Sequence, residues 1–253
     1  MNKISVIIGH SDIDQTRHRN LLFSLEYYSS YFNNCEIIVV EQGTKVDLSR
    51  YSNVKHVHLN PNHSYSRSLG FNEGFKICSS QIILFVDNDC IISKITLDTI
   101  RTMMETSFFE LYDVVIPYRW VYDLSEDQTL EIIRTHDVTG NLSKRSHNGR
   151  PIINFGGATV LTRNAFISIG GFDPQFVGWG GEDIAFISKC FKMLSVYRVP
   201  NNYDMYHLNH YRVYAKAKNP EADKNRNEAL RIQNMDENEM TRYIAQLGNS
   251  HIS

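Results

Sequence analysis

Residues 81–89 read QIILFVDND: five consecutive apolar residues end in two carboxylates separated by an asparagine. A short, continuous apolar run is typical of a strand that is buried on both faces of a parallel sheet. Sheets of this kind bind their ligands at the carboxyl ends of the strands. Asp87 and Asp89 therefore lie where a ligand is expected, and alternation along an extended chain places both on the same side.

Outward from this strand, apolar runs alternate with segments of helical spacing. The pattern predicts strands at 4–8, 35–40 and 54–59, with helices at 16–32 and 66–79. Further on it predicts strands at 112–117, 152–161 and 195–199 and a helix at 184–193. We therefore predict an α/β fold, a Rossmann-like and mostly parallel central sheet flanked by helices in a single domain.

Two segments lack this pattern. Residues 119–150 are polar and charged, and we interpret them as a long, mobile excursion from the sheet. Beyond Pro220 the chain is polar and helix-prone, which predicts a terminal helix with a loose tail. We therefore expect one continuous domain, with residues 1–92 serving one ligand, residues 93–220 serving a second, and a C-terminal helical tail at 221–253.

The composition excludes several classes of protein. The chain has 253 residues, of which 42% are hydrophobic, enough for one large domain with a substantial core. A formal net charge of -2 provides no basic field for nucleic acid, and no apolar run is long enough to span a membrane. The cysteines are far apart in sequence, which predicts free buried thiols in a reducing cytosol rather than a disulfide or zinc site: Cys35, Cys78, Cys90 and Cys190.

Two further residues could join the acids in a metal site. His207 and His210 are three apart, so a helix or turn would bring both rings to one face. Carboxylate and imidazole ligands together suit Mn²⁺, with Mg²⁺ as the alternative. The competing interpretation is that Asp87 and Asp89 only form a turn and that the histidines lie on the surface.

Several cations could contact a diphosphate, since an arginine side chain can donate two hydrogen bonds to one phosphate group. Arg17 follows the first strand, Arg67 opens the helix at 66–79, and Arg212 and Lys216 flank the histidines. Each could equally be an ordinary surface cation.

Residues 177–186, VGWGGEDIAF, place Trp179 among three glycines and two acids at the start of a predicted helix. Glu182 and Asp183 could simply cap that helix. Capping does not account for the tryptophan or the second acid. An aromatic ring can contact the apolar face of a sugar, and a carboxylate can take the proton from a sugar hydroxyl. Upstream, 155–157 (FGG) adds another aromatic residue and a close approach of the backbone.

In this order the motifs resemble the metal-dependent glycosyltransferases of GT-A fold, specifically the β-1,4-galactosyltransferase family and its bacterial relatives. The resemblance covers most of the chain, about residues 4–226. A DxD motif alone is weak, but WGGED with an upstream FGG and a downstream HxxH is specific. The chain departs from the family in having Gly9 and His10 where a proline usually follows the first strand, and Ile184 where a further acid usually follows Asp183.

The resemblance implies a role for each matching residue. Asp183 would be the catalytic base. The metal ligands would be Asp89, His207 and His210. The residues that contact the donor would be Arg17, Arg67, Asp87, Trp179 and Gly180. The residues that bind the acceptor would be Glu182, Trp179, Phe155, Gly156 and Gly157.

The activity expected from the resemblance is inverting transfer of galactose or N-acetylgalactosamine from a UDP-sugar to a glycan or lipid-linked glycan. The expected setting is the bacterial cytoplasm, at the inner face of the membrane, in surface polysaccharide synthesis. Two alternatives stay open: a retaining transferase of the polypeptide N-acetylgalactosaminyl type, and a non-catalytic glycan-binding module. A nucleotidyltransferase is disfavoured because no glycine-rich phosphate loop follows the first strand.

Overall fold

The computed structural model describes residues 3–11, 14–32, 35–59, 64–137, 142–147, 150–151, 155–210 and 221–252. The described strands are β1 (Ile4–His10), β2 (Glu36–Gln42), β3 (Val54–Leu59), β4 (Ile82–Asp87), β5 (Cys90–Ile92), β6 (Val114–Ile116), β7 (Trp120–Asp123), β8 (Ser146–His147), β9 (Arg150–Pro151), β10 (Ala158–Thr162), β11 (Val196–Arg198) and β12 (Asp204–His207). The described helices are α1 (Gln15–Tyr31), α2 (Arg67–Ile77), α3 (Lys94–Glu105), α4 (Phe108–Leu111), α5 (Glu126–Thr135), α6 (Arg163–Ser168), α7 (Glu182–Met193), α8 (Ala222–Gln233) and α9 (Glu237–Leu247).

The central sheet has seven strands in the order β11-β6-β10-β4-β1-β2-β3. All neighbouring strands are parallel except β10, which runs antiparallel to both β4 and β6. The predicted mostly parallel α/β sheet is therefore confirmed. Because β10 is reversed, its first residues lie beside the last residues of β4. The turn before Ala158 and the acids after Val86 consequently meet at one edge.

The core is apolar throughout the middle of this sheet, since the inner residues of β1, β2 and β4 are almost fully buried. A cluster of aromatic rings connects the sheet to the helices that carry polar residues at its edge. Phe172 stacks on Phe186 of α7 with ring centroids 3.9 Å apart, and it also contacts Phe71 of α2 at 5.2 Å. This packing fixes the start of α2 relative to the start of α7.

A second, three-stranded sheet in the order β5-β12-β7 lies next to the first. The interpretation of 119–150 as an excursion with no core pattern is wrong for its first half. Residues 120–123 form β7, which pairs in parallel with β12, and α5 begins with a capping box made by Ser125 and Gln128. Ile132 and Thr129 of α5 are buried. The sequence does not reveal this pairing, because β7 and β12 have four residues each, too few to show the alternation of a strand.

The C-terminal segment is packed rather than loose. Helices α8 and α9 form a small apolar cluster with Phe176 and with Ala185 of α7. Near the end of the chain, Ile252 is only 4% exposed, and the His251 ring lies 2.8 Å from the Gly170 carbonyl oxygen. The predicted loose tail is therefore wrong for the residues up to 252. All four cysteines are free, as predicted, and three of them are buried.

Candidate active site

The main chain at the end of β4 is held by hydrogen bonds from three directions. The Asp87 N–H donates to the Gly157 carbonyl at 2.9 Å, and the Asn88 N–H donates to the Gly9 carbonyl at 3.2 Å. The Ser24 hydroxyl of α1 donates to the Asn88 carbonyl at 2.7 Å. The turn between β4 and β5 is thus fixed by β1, α1 and the residues before β10.

Asp89 is buried against two histidines and an arginine. Its Oδ2 lies 3.2 Å from Nε2 of His210 and 3.6 Å from Nη1 of Arg17, and its Oδ1 lies 3.8 Å from Nε2 of His207. The Leu208 N–H donates to the Asp89 carbonyl at 2.8 Å, which ties the histidine segment to the acid. One ligand atom from each of the acid and the two histidines lies within 4.8 Å of the others, so the three can hold one ion.

The chemistry of this set fits a borderline divalent cation. Burial by itself would raise the pKa of Asp89, but His207, His210 and Arg17 more than offset it and the pKa is lowered. The carboxylate is therefore ionised at neutral pH. Burial raises the pKa of the neighbouring Cys90 thiol well above its usual range, so a thiolate is not available there. One carboxylate and two imidazoles, without a soft sulfur ligand, suit Mn²⁺.

Asp123 at the end of β7 was missed by the sequence reasoning. Its Oδ1 lies 3.1 Å from Nδ1 of His207, and Arg145 donates to both of its oxygens, at 2.6 and 3.0 Å. Burial would raise the pKa of Asp123, but the hydrogen bonds from His207 and Arg145 hold it far below its usual range. A carboxylate on the far nitrogen of a histidine fixes the ring's orientation and tautomer, a common arrangement behind metal ligands. The residue could not have been found from sequence, because it depends on the pairing of β7 with β12.

Arg67 holds two acids from different parts of the chain. Its Nε donates to Oδ1 of Asp87 at 2.7 Å, and its Nη1 lies 3.8 Å from Oε1 of Glu182. The side chain starts at the first turn of α2, where the Ser66 hydroxyl accepts from the Leu69 N–H. The guanidinium therefore connects the end of β4 with the start of α7.

This part of the site carries more negative than positive charge. Burial raises the pKa of Asp87 despite the attraction of Arg67. Burial, with repulsion from Asp183, raises the pKa of Glu182 to about 7. One guanidinium, that of Arg67, therefore faces three carboxyl groups, those of Asp87, Glu182 and Asp183. A bound cation or a proton would relieve the excess charge.

The loop before α7 needs its glycines. Gly178, Gly180 and Gly181 have φ of 79°, 100° and 90°, in the left-handed region that favours residues without a Cβ. The Gly178 N–H donates to the Tyr65 carbonyl at 2.7 Å, just upstream of α2. On this backbone path Trp179 is 56% exposed.

Asp183 lies directly against the Gly156 turn. A Cβ atom built on Gly156 would overlap Oδ2 of Asp183 and lie 3.3 Å from its Cγ. Gly181 is the N-cap of α7, and none of the described side chains caps the helix. Oδ1 of Asp183 accepts a hydrogen bond from the Ile184 N–H at 2.8 Å, within the first turn. The other oxygen faces the turn whose next residue, Gly157, binds the main chain of Asp87.

The predicted residues fall into four groups. Around the carboxyl end of β4, the structure places Arg17, Arg67, Asp87, Asp89, Gly156, Gly157, Glu182, Asp183, His207 and His210. Trp179 and Gly180 lie on the adjoining loop. The ring of Phe155 lies 5.6 Å from that of Phe191 and carries the guanidinium of Arg198 at 4.9 Å. Arg212 and Lys216 lie outside the described residues.

The sheet, the acids at the end of its central strand and the two histidines define a glycosyltransferase of GT-A fold. The family model described as Glycosyltransferase like family 2 matches residues 5–217, and the chain belongs to that family. A comparison with curated proteins found no match. No helix in the described part of the chain is long and apolar enough to cross a membrane.

Solved structures with the same fold share little sequence with the chain. The catalytic domain of Drosophila beta1,4galactosyltransferase 7, in complex with xylobiose, has 16% identity and a TM-score of 0.50, with 83% of this chain and 72% of that chain covered. S. aureus TarS 1-349, in complex with UDP-GlcNAc, has 15% identity and a TM-score of 0.61, with 97% and 71% covered. GalNAc-T7 with UDP, GalNAc and Mn2+ has 13% identity and a TM-score of 0.61, with 91% of this chain and 48% of that one covered. This chain thus spans about half of GalNAc-T7.

Proposed function

We propose that this glycosyltransferase moves galactose or N-acetylgalactosamine from a UDP-sugar to a glycan hydroxyl with inversion, forming a β-linkage. One observation supports the proposal: the turn at Gly156 and Gly157 contacts both Asp87, at the end of β4, and Asp183, at the start of α7. The Gly157 carbonyl binds the main chain of Asp87, and Gly156 leaves room for the carboxylate of Asp183. The proposed base and the end of β4, two residues before the proposed metal ligand Asp89, are therefore held by adjacent residues.

Asp89, His207 and His210 are the residues that would hold a divalent cation, Mn²⁺ or Mg²⁺. Structures of the same fold, GalNAc-T7 and a mutant of Drosophila galactosyltransferase 7, contain Mn²⁺ with UDP or UDP-Gal. When bound, such an ion supplies positive charge to the diphosphate that leaves the sugar. Arg17 beside Asp89 adds a fixed positive charge on the same side.

Side chains of the protein would carry out proton transfer, bind the acceptor and position the donor. Asp183 accepts the proton of the acceptor hydroxyl, which attacks the anomeric carbon from the face opposite the diphosphate. Glu182, held by Arg67, binds an acceptor hydroxyl, and Asp87 with Arg67 positions the donor. The exposed ring of Trp179 covers the sugar and excludes water, limiting hydrolysis of the donor.

A retaining reaction is the second candidate, because GalNAc-T7 shares the fold. In the polypeptide N-acetylgalactosaminyl type that the sequence also resembles, an asparagine commonly follows the glutamate. Here Asp183 holds that position, and an ionisable base favours inversion. The biological setting we propose is synthesis of a bacterial surface glycan at the cytoplasmic face of the membrane.

The test is a donor screen that measures UDP release with Mn²⁺ for UDP-galactose, UDP-N-acetylgalactosamine and UDP-N-acetylglucosamine, followed by NMR assignment of the product anomer. Asp183→Asn should reduce transfer about 10²–10⁴-fold, the usual cost of losing a general base, with UDP binding retained. Asp98→Asn, which removes an exposed carboxylate of α3 from its pair with Arg101, is the matched control. Transfer at wild-type rate by Asp183→Asn, or an α-product from an α-donor, would overturn the proposed mechanism.

A further inference from the structure

Two arginines lie together at the same edge of the central sheet as the candidate active site. Arg119 follows β6 and Arg198 ends β11, and these strands are parallel neighbours. Nη2 of Arg198 donates to the Arg119 carbonyl at 3.3 Å. The Nε of each arginine is buried without a hydrogen-bond partner. Among the described residues, neither guanidinium forms an ion pair with a carboxylate.

This arrangement is costly without a ligand. A buried donor that lacks a partner loses its hydration without compensation, and two like charges in contact repel each other. Burial and then repulsion by Arg119 lower the pKa of Arg198. Arg119 lies over the Trp120 ring at 5.6 Å, and the ammonium of Lys144 lies over the same ring at 4.5 Å. Lys144 differs from the two arginines in having an acid nearby: burial raises the pKa of Asp204, and the charge of Lys144 offsets part of that rise.

The pair is connected to the turn beside Asp183 through two contacts. Arg198 lies over the ring of Phe155 at 4.9 Å, and Phe155 directly precedes the glycine that faces Asp183. The hydroxyl of Tyr118, the residue before Arg119, donates to the Gly156 carbonyl. Burial is the main cause of the raised pKa of Tyr118; the charge of Asp183 raises this pKa further, and the charge of Arg198 lowers it.

An arginine fork matches the oxygens of a phosphate or carboxylate and donates two hydrogen bonds to it. The donor diphosphate is assigned to the other side of the cleft, by Arg17, Arg67 and the cation cluster. We propose that Arg119 and Arg198 bind a phosphate or carboxylate group on the acceptor, which makes the acceptor an acidic glycan. This rests on the proposed function, because it names the acceptor class of the same site.

The binding test uses arginine side-chain NMR on the full chain loaded with UDP and Mg²⁺, an ion that does not broaden the spectrum. Glucose 6-phosphate, glucuronic acid and glucose are titrated separately. The variants Arg119→Gln and Arg198→Gln assign the two Nε–Hε signals. Both acidic sugars should shift both signals, while glucose should leave them in place. Since a hydrogen bond to a charged group is worth about 1.5–3 kcal/mol, each single variant should weaken binding of the acidic sugars about ten-fold or more.

Arg101→Gln is the control, because Arg101 is an exposed cation of α3 that pairs with Asp98. It should bind the acidic sugars like the wild type. Vesicles containing phosphatidylglycerol form a separate arm, which distinguishes a lipid headgroup from an acceptor anion. Shifts caused only by the vesicles, equal binding of glucose, or no shift with any of the sugars would overturn the proposal.

UDP release from the donor in the absence of acceptor separates this proposal from the proposed function. The double variant Arg119→Gln/Arg198→Gln should hydrolyse UDP-sugar and bind UDP like the wild type. If the wild type itself neither binds UDP nor releases it from any donor, the proposed function fails. If those activities are present and the double variant still binds the acidic sugars like the wild type, only the acidic-acceptor proposal fails.

Discussion

Gly156 lies so close to Asp183 that a side chain at position 156 and the carboxylate at position 183 would occupy the same space. The glycine is therefore required by a neighbour rather than by its own backbone, since its φ is not among the positive values in the chain. The neighbouring Gly157 does have a positive φ of 105°, and its missing side chain leaves room for Met205 and Cys90. Gly156 thus leaves room for Asp183 of α7, and Gly157 leaves room for residues of β5 and β12.

Gly156→Ala should displace the Asp183 carboxylate and leave the fold intact, because the clashing atom is the end of a side chain. We expect transfer to fall about 100-fold, as for a misplaced general base, with UDP affinity unchanged. Gly248→Ala is the control: it strains a residue with φ of 62° that is open to solvent after α9. Steady-state kinetics and thermal unfolding measure both effects. An alanine at 156 that keeps full activity would remove Asp183 from the role of base.

Asp123→Asn should weaken Mn²⁺ binding about 10–100-fold, the usual cost of losing the carboxylate behind a histidine ligand. Asparagine keeps the shape but not the charge, so Arg145 and His207 lose their common partner. Electron paramagnetic resonance of free Mn²⁺ measures the affinity with UDP present. His210→Ala should lower it further, and Asp98→Asn should not change it. Unaltered affinity in Asp123→Asn would show that His207 needs no orienting carboxylate.

Glu182→Gln should change how stability depends on pH. The pKa of Glu182 is about 7 in the folded protein, above its ordinary value of 4.5, so the folded state holds the proton more tightly than the unfolded chain. The stabilisation from this proton is full below about pH 4.5 and is lost as the pH rises through 7. Glutamine cannot ionise, so the variant should gain on the order of 2 kcal/mol relative to wild type between pH 5 and pH 8.

Urea unfolding of the protein in EDTA at the two pH values measures this gain. Glu73→Gln is the control, since it removes a carboxylate that pairs with Lys76 on the outside of α2. A difference between Glu182→Gln and wild type that is the same at pH 5 and pH 8 would mean that Glu182 is ionised throughout this range.

The sequence was sufficient for most of the central sheet because β1, β2 and β4 are continuous apolar runs with clear ends, and β3 alternates between apolar and polar residues. Asp87 and Asp89 could be assigned to the ligand-binding edge on the same grounds. The HxxH spacing identified His207 and His210, although neither stands on a helix: His207 ends β12 and His210 follows it. Their approach to Asp89 depends on the pairing of β12 with β5, which no local pattern encodes.

Residues whose role depends on pairing between distant strands could not be identified from the sequence for the same reason. Asp123 reaches His207 only because β7 and β12 are neighbours, and Arg119 reaches Arg198 only because β6 and β11 are. Each lies on a strand of three or four residues or directly beside one, too short to show alternation. The packing of the C-terminal helices was not predicted, because an apolar face on a polar helix does not show which part of the protein it packs against.

Asn225 of α8 couples that C-terminal segment to the loop that carries Trp179. Its Nδ2 donates to the Val177 carbonyl at 2.8 Å, and its own carbonyl fills the space beside Gly181 that a side chain would need. Asn225→Ala removes the donor to the half-buried Val177 carbonyl, which should cost about 1 kcal/mol of unfolding free energy. Because Val177 precedes Trp179 by two residues, we also expect a higher KM for the acceptor with little change in UDP affinity. Asn234→Ala, at an exposed position after the same helix, should alter neither. If both variants lose stability equally and the acceptor KM is unchanged in each, α8 supports the fold without positioning the loop.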